Sequence, residues 1–462
     1  MTDTHHNLMK PLLPAVVAVA LLSGCHVYRA YERPAEVATV ADSLWQPSAD
    51  TATIARLPWT MLFTDAALQR LIRMGLEHNT DLRTAGLRVE AAEAQLKACR
   101  QAYAPSLSFS ADGNVNRNKG HQPDRSYTLA LSAEWELDAA GRLLNARRGQ
   151  QATVSEERAA RRAVQTQLVA TIAGSYYSLL MLDRQLDIAR RTADTWADYL
   201  RSMQALKNAG QATELAVAQT EASKLSTDAT VVTLQQQISE TENSLKALIG
   251  VPLQGAIERS TLEAQQLPDT LTAGVPLDLL SRRPDVMQQE SALAAAYYAT
   301  NAARSAFYPS ITLGGTAGWT DAAGAAITNP GQWLLQAVGS LVQPLFDRGR
   351  LRADLTVAKA NQQIALLNFR QSLLDAGNDV NTALKQWQSA RQRYRIDSQQ
   401  SQSLQQALRS AELLMRYSSQ NYLEVIAARQ ALLNAELNVA TDRYDEIQGM
   451  INLYHALGGG AD

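Results

Sequence analysis

A chain of 462 residues can bury a sizeable core, either as two or three ordinary domains or as one elongated unit. Apolar residues make up 46%, charged residues 19% and aromatics 6%, and much of the apolar share is alanine, which favours helices with thin packing layers. Forty-three Lys and Arg against 45 Asp and Glu leave a net charge of -2, so no basic excess neutralises a phosphate backbone and nucleic acid is not an expected partner. Six histidines, scattered apart from an N-terminal pair, and two cysteines support neither a metal cluster nor a disulfide framework.

The N-terminus reads as an export signal. Lys10 precedes an apolar run from Pro11 to Leu22, too short to span a bilayer as a helix but suited to a signal-peptide core. Leu22-Ser23-Gly24-Cys25 resembles a bacterial lipobox, so residues 1–24 are expected to be removed and Cys25 to become the lipidated, palmitate-bearing N-terminus. His26 stands where an inner-membrane retention signal has Asp, which favours the outer membrane. Residues 25–60, with Pro34, Pro47 and Pro58, read as a lipid-anchored extension. From about Leu57 to Tyr103 the pattern predicts one helix, with Leu82, Ala85, Val89, Ala92 and Leu96 on one face and Cys99 as a small packing residue.

Two alternating segments follow. Leu107 and Phe109 alternate with Ser108 and Ser110, and Tyr127, Leu129, Leu131, Ala133, Trp135 and Leu137 alternate with Thr128, Ala130, Ser132, Glu134 and Glu136. The stretch Asn114–Asp124 between them is a hairpin loop. Period-two segments of this length match transmembrane barrel strands, though period alone equally allows a small soluble sheet with one buried face. Glu134 and Glu136 would lie on the lumen face of such a barrel.

Arg142 to Asn208 contains no proline and reads as a helix of about 100 Å at 1.5 Å per residue. Its apolar positions fall on more than one stripe, Val164, Leu168 and Ile172 beside Val169 and Tyr176, which suits a wall of helices; a solvated coiled-coil rod is the plainer reading. A turn at Asn208–Thr213, containing Gly210 and Gln211, leads to a returning helix with Leu234, Ile238, Leu245 and Leu248 at coiled-coil spacing, ending near Gly250. Residues 251–276, with Pro252, Pro268, Gly274 and Pro276, form a linker or equatorial segment.

Residues 277–462 then repeat residues 61–250. Asp285, Arg304, Pro309 and Ser310 answer Asp81, Arg100, Pro105 and Ser106 at a constant offset of 204; Gly349, Arg350, Leu423, Val425 and Gly458 answer Gly141, Arg142, Leu215, Val217 and Gly250 at 208. A period near 200 marks duplication of a structural half, not a solenoid. The second half therefore predicts a helix, strands over Ile311–Trp319 and Trp333–Phe346, a long helix from Arg350 to Tyr417, a turn including Ser418 and Ser419, a returning helix and a C-terminal equatorial tail. Four strands per chain cannot close a barrel, and edges exposed in hydrocarbon leave backbone groups unpaired, so a membrane barrel requires several copies, giving eight, twelve or sixteen strands.

The lipobox, Trp59 with Leu62-Phe63 and Asp65, Asn79-Thr80-Asp81-Leu82, Pro105-Ser106-Leu107, Trp135-Glu136-Leu137-Asp138 before Gly141-Arg142, Arg282-Arg283-Pro284-Asp285-Val286, Phe307-Tyr308-Pro309-Ser310-Ile311, Pro344-Leu345-Phe346-Asp347 before Gly349-Arg350, and Tyr422-Leu423-Glu424-Val425 together resemble the TolC-type outer-membrane efflux family. The narrower likeness is to the lipoprotein branch that serves RND pumps. This resemblance implies an α+β membrane protein: a homotrimer with a twelve-stranded β-barrel, four strands per chain, continued by a long periplasmic α-helical barrel. It implies passive conduction of drugs, other small molecules or metal ions, no catalysis, no cofactor, and a periplasmic membrane-fusion adaptor and inner-membrane RND pump as partners, with outer-membrane lipid around the barrel. The acidic position of the family's gate motif falls on Glu424, while the second acidic position is Ala427. Gly210, Gln211, Ser418 and Ser419 stand at the hairpin tips that would meet the adaptor.

Other classes leave specific traces. No nucleophile elbow, phosphate loop or metal-spaced histidine pair supports an enzyme. A periplasmic coiled-coil scaffold lipoprotein would need no alternating strands. A type I protein-secretion outlet shares the architecture, and the lipobox tilts the reading toward small-molecule efflux.

Overall fold

The computed structural model describes residues 28–35, 57–116, 124–252, 255–265, 283–321, 332–417 and 422–460. The described helices are α1 (Trp59–Leu62), α2 (Ala66–His78), α3 (Thr80–Gln101), α4 (Arg142–Asn208), α5 (Glu214–Ile249), α6 (Pro284–Ser305), α7 (Arg350–Tyr417) and α8 (Tyr422–Ala456). The strands are β1 (Ser106–Asn116), β2 (Asp124–Leu137), β3 (Ser310–Asp321) and β4 (Gln332–Val342). Among the described residues no helix is long and apolar enough to cross a membrane. The two repeats superpose in element order: α6 and β3 begin 204 residues after α3 and β1, and α7 and α8 begin 208 after α4 and α5.

The single helix expected from Leu57 to Tyr103 is three helices. Asp65 interrupts it by accepting the Ala67 and Leu68 N–H groups at 2.8 and 3.4 Å, and Asn79 by accepting the Leu82 N–H at 2.9 Å; these carboxylate and amide oxygens satisfy helix-start donors better than a continuing turn would. The fourth strand stops at Val342, short of the expected Phe346, because Pro344 has no N–H for a ladder. The long helices match their expected bounds, and local signals set their starts. Asp138 accepts the Leu143 and Leu144 N–H groups at 2.9 and 2.7 Å to start α4, after Gly141 turns with φ 71°. Asp347 likewise accepts the Leu351 N–H at 2.8 Å to start α7, after Gly349 at φ 85°.

The chain forms two compact units, each drawing on both repeats. One comprises the described parts of 1–37, 87–158 and 287–371 and holds the sheet. Its strand order is β1-β2-β3-β4, antiparallel throughout. Ala92 and Leu96 of α3 pack on Val154 of α4, and Thr300 of α6 donates to the Ala358 carbonyl of α7 at 3.1 Å. The Tyr31 N–H donates to the Tyr298 hydroxyl at 3.0 Å, and Arg33 pairs with Glu290, which ties the start of the N-terminal extension to α6. Cys99 is a half-buried free thiol.

The other unit comprises the described parts of 38–86, 159–286 and 372–462. Its centre is the middle of α4, where Val169, Ile172, Ala173, Tyr176, Leu179 and Leu180 are buried, as two apolar stripes require. On α5, Leu234 packs with Leu182, Leu186 and Ala189 of α4, with Ile238 beside them. Gly75 of α2 lies so close to α4 that a Cβ would come within 2.4 Å of Ile172. Segment 255–265 is fastened through Asp65: the Tyr176 hydroxyl donates to Oδ2 at 2.7 Å, the Gln265 amide at 3.1 Å, and the Ser260 hydroxyl also donates to it. Burial alone would raise the Asp65 pKa, but donors from Ser260, Tyr176, Ala67 and Gln265 prevail and hold it below its ordinary value; burial pushes Tyr176 up to about 12. Arg283, nearly fully buried, gives bonds to Asp285, to Asp379 at 2.9 Å and to the Ala456 carbonyl at 2.9 Å, which explains the Arg-Pro-Asp motif as a clasp joining the start of α6 to α7 and α8.

Candidate functional site

Two places carry the candidate residues, the sheet faces and the hairpin ends. In the sheet, register and not only alternation decides what each face presents. Leu107, Ala133, Gly315 and Ala337 lie in one row, Phe109, Leu131, Ala317 and Leu335 in the next, and Ala111, Leu129, Trp319 and Trp333 in a third, so one face is apolar across all four strands. Large side chains on it are open: Phe109 is 71% exposed, Trp333 78% and Leu335 87%. The opposite face carries rows such as Ser108, Ser132, Thr316 and Gln336, with Ser132 and Thr316 hydroxyls 3.3 Å apart and Thr128 and Thr320 hydroxyls 3.2 Å apart. A one-residue slip between any two strands would mix these faces.

Glu134 and Glu136 both fall on the polar face, opposite Gly314 and Thr312. They differ in company. Glu136 is paired with Arg142, whose Nε donates to Oε1 at 2.8 Å, whereas Glu134 is exposed and has no ion pair among the described residues. The strands β1 and β4 are the sheet's edges in the single chain, each with one side of its ladder unused.

At the hairpin ends, α4 closes in a left-handed turn at Gly210, φ 72°, with the Gly210 N–H bonded to the Lys207 carbonyl at 2.9 Å and the Gln211 N–H to the Leu206 carbonyl at 2.8 Å. That double closure requires a residue without a Cβ penalty at position 210. Thr213 then starts α5 by accepting the Ala216 N–H at 3.2 Å, and Lys207 pairs with Glu214 across the turn. Ser418 and Ser419 of the second tip, and Cys25, lie outside the described residues.

Structure joins the two hairpins just behind these turns. Trp196, Tyr199 and Met203 of α4, Ala216 and Val217 of α5, Ala411 of α7 and Val425 of α8 form one buried cluster, with Met415 and Tyr422 against it. The repeated Leu-x-Val pairs are used identically: Val217 and Val425 point inward while Leu215 and Leu423 are 59% and 49% exposed. Glu424, between Leu423 and Val425 in the first turn of α8, is exposed and has no hydrogen bond or ion pair among the described residues. It is therefore a free carboxylate at the helix start, beside the exposed Ala427.

Sequence reading missed Arg429. This residue is buried two turns into α8, its guanidinium 5.7 Å from the Trp196 ring centre and 5.4 Å from that of Tyr199, and Nη2 donates to Glu412 at 2.5 Å. Its Nε is buried with no partner among the described residues. Burial lowers the Arg429 pKa and pushes the Tyr199 hydroxyl up to about 12. The only trace in the sequence is an arginine placed four residues after the inward-facing Val425, one helical turn away.

The arrangement offers one apolar sheet face, a second face that carries Glu134, Glu136 and the Ser and Thr rows, and polar helix ends; among the described residues no group of metal-ligating side chains occurs. The family model for the outer membrane efflux protein matches residues 71–251 and 275–459. The cation efflux system protein CusC of Escherichia coli O157:H7 is 31% identical, covering 97% of this chain and 98% of that one. The antibiotic efflux pump outer membrane protein ArpC of Pseudomonas putida is 30% identical over 98% of this chain and 96% of its own. A solved structure of CusC, described with transmembrane channel formation, covers 94% of this chain and all of its own at 28% identity with a TM-score of 0.84. The duplicated halves, the sorted sheet and the paired helical hairpins are those of an outer-membrane efflux channel, and the chain belongs to the outer membrane efflux protein family.

Proposed function

We propose that this protein is the outer-membrane channel of a tripartite RND-type efflux system, a homotrimer whose three four-stranded sheets close into a twelve-stranded barrel continued by a helical barrel. The observation that carries the reading is the sheet: one face apolar over four strands, the other bearing Glu134, Glu136 and rows of Ser, Thr and Gln, and two edges whose backbone groups need partners in hydrocarbon. Cys25 carries the lipid anchor. Gly210, Gln211, Ser418 and Ser419 meet a periplasmic adaptor, Glu424 contributes to closure at the periplasmic end, and Glu134 and Glu136 face the lumen.

Conduction in this reading is passive: energy comes from the inner-membrane pump, and the channel sets access, width and charge. Relatives named for cations and for antibiotics are almost equally similar, at 31% and 30%, so identity favours a conduit whose cargo is chosen by its pump. The decisive experiment is native mass spectrometry of the detergent-extracted protein together with planar-bilayer conductance. A trimer that forms discrete channels is expected; a well-folded monomer without conductance would overturn the proposal.

A further inference from the structure

The internal repeat relates the inner strands of the sheet to its two edges by fixed offsets. Within the chain the two repeats meet along a seam made of β2 with β3 and of α4 with α6. In that seam a Cβ on Gly149 of α4 would sit 3.5 Å from the Tyr298 Cβ and 3.9 Å from the Ala295 carbonyl of α6. A second seam of the same kind would join β4 to β1 and α7 to α3, and within one chain β1 and β4 are opposite edges of the sheet.

The offsets follow from the ladders. The β1·β2 partners add to 240 (Ser106 with Glu134) and the β3·β4 partners to 652 (Ser310 with Val342). Since β3 begins 204 after β1, the remaining difference places β4 at 208 after β2, the same 208 that separates Gly349 from Gly141. The β2·β3 partners add to 448 (Leu137 with Ile311). Adding 208 for β4 and subtracting 204 for β1 gives 452.

We propose that β4 of one copy pairs antiparallel with β1 of a second copy of this chain with partner numbers adding to 452, so that Leu341 faces Ala111, Ser340 faces Asp112 and Gln336 faces Asn116 of the next copy. This rests on the oligomeric barrel reading and sharpens it. The register is consistent with the faces, as any even sum is: Leu341 and Ala111 are on the apolar face, Ser340 and Asp112 on the polar one. The helices supply the check that does not follow from parity. The same offsets carry Gly149 to Val357 on α7, and Ala295 and Tyr298 to Ala91 and Ala94 on α3. Val357 is 58% exposed, Leu87 beside the α3 patch is 63% exposed, and Ala91 and Ala94 are exposed. The volumes are exchanged: small Gly149 meets large Tyr298 within the chain, and large Val357 meets small Ala94 between copies, which keeps the helix spacing similar across both seams.

Cysteine pairs test the register. In a Cys99→Ser background, Leu341→Cys with Ala111→Cys and Ser340→Cys with Asp112→Cys are compared, because adjacent antiparallel pairs alternate between wider and closer Cα spacing and one of the two suits a disulfide. Three strand spacings, about 14 Å, separate β1 from β4 within a copy, so a bond in either variant must join copies. Mild oxidation should give covalent trimers on denaturing gels for at least one pair. Leu341→Cys with Gly113→Cys or with Phe109→Cys, two residues out of register at about 7–8 Å, should link at least tenfold more slowly. Trimers by native mass spectrometry that link best through a shifted pair, or through none, overturn the register while leaving the trimeric reading intact. A protein that forms no trimer before oxidation overturns both.

Discussion

Replacing Arg429 should loosen the hairpin ends. Arg429→Ala removes two ring contacts, each worth about 1–2 kcal/mol in a desolvated setting, and empties the space between Trp196 and Tyr199, a change of the kind that costs about 2–5 kcal/mol in a core. The ion pair adds little, because the Glu412 side chain is 39% exposed and regains water when left alone. These contributions overlap, so about 3 kcal/mol is expected, or roughly a hundredfold in a local opening equilibrium. Hydrogen–deuterium exchange of the assembled protein in detergent should show that loss over residues 196–217 and 408–429, with single-channel conductance rising as the ends part. Arg429→Met is the informative companion. It refills the space with an apolar body and removes a buried charge whose Nε has no partner among the described residues, so exchange should return to within about threefold of the parent protein. Unchanged exchange in Arg429→Ala would refute the role of this cluster, and equal loss in both variants would show that charge, not packing, holds the ends.

Glu424→Ala should raise conductance and weaken block by divalent or trivalent cations added from the periplasmic side, since three like charges near a narrow axis attract cations; unchanged block with normal trimer yield returns Glu424 to an ordinary solvated charge. Cys25→Ser should abolish incorporation of labelled palmitate while leaving assembled barrels, and equal incorporation would refute the lipobox. Glu134→Gln should shift ion selectivity more than Glu136→Gln, because Arg142 already compensates Glu136; reversal potentials that move equally would show the pairing to be irrelevant in the channel. Asp65 has a folded pKa below its ordinary 3.8, so its stabilisation is complete above that value and fades as pH falls through the depressed one. Thermal melts should therefore show Asp65→Asn less stable than the parent near neutral pH, with the gap narrowing below about pH 4; a gap that widens with acid contradicts the assignment.

Legible in the sequence were the duplication, both long helices to the residue, the existence of all four strands and the shared face of Glu134 and Glu136; the reach of the strands was not, since β1 runs on to Asn116 and β2 starts at Asp124, inside the stretch expected as a hairpin loop, because Asn114, Val115 and Asn116 find ladder partners in Ser126, Arg125 and Asp124. The legible features are local: proline-free helical runs bounded by Asp138 and Gly141 or Asp347 and Gly349, and side chains alternating at period two. The breaks at Asp65 and Asn79 are local N-caps that the apolar periodicity masked, and tertiary structure added what Asp65 holds, gathering Tyr176, Ser260 and Gln265 from 111, 195 and 200 residues away. It decided that Arg429, charged and therefore expected in water, lies beneath two aromatic rings from another helix. It also decided the strand register across repeats, which turns four alternating segments into one apolar and one polar face. No period along the chain encodes such pairings, since each is fixed only when segments hundreds of residues apart compete for the same hydrogen bonds and the same space.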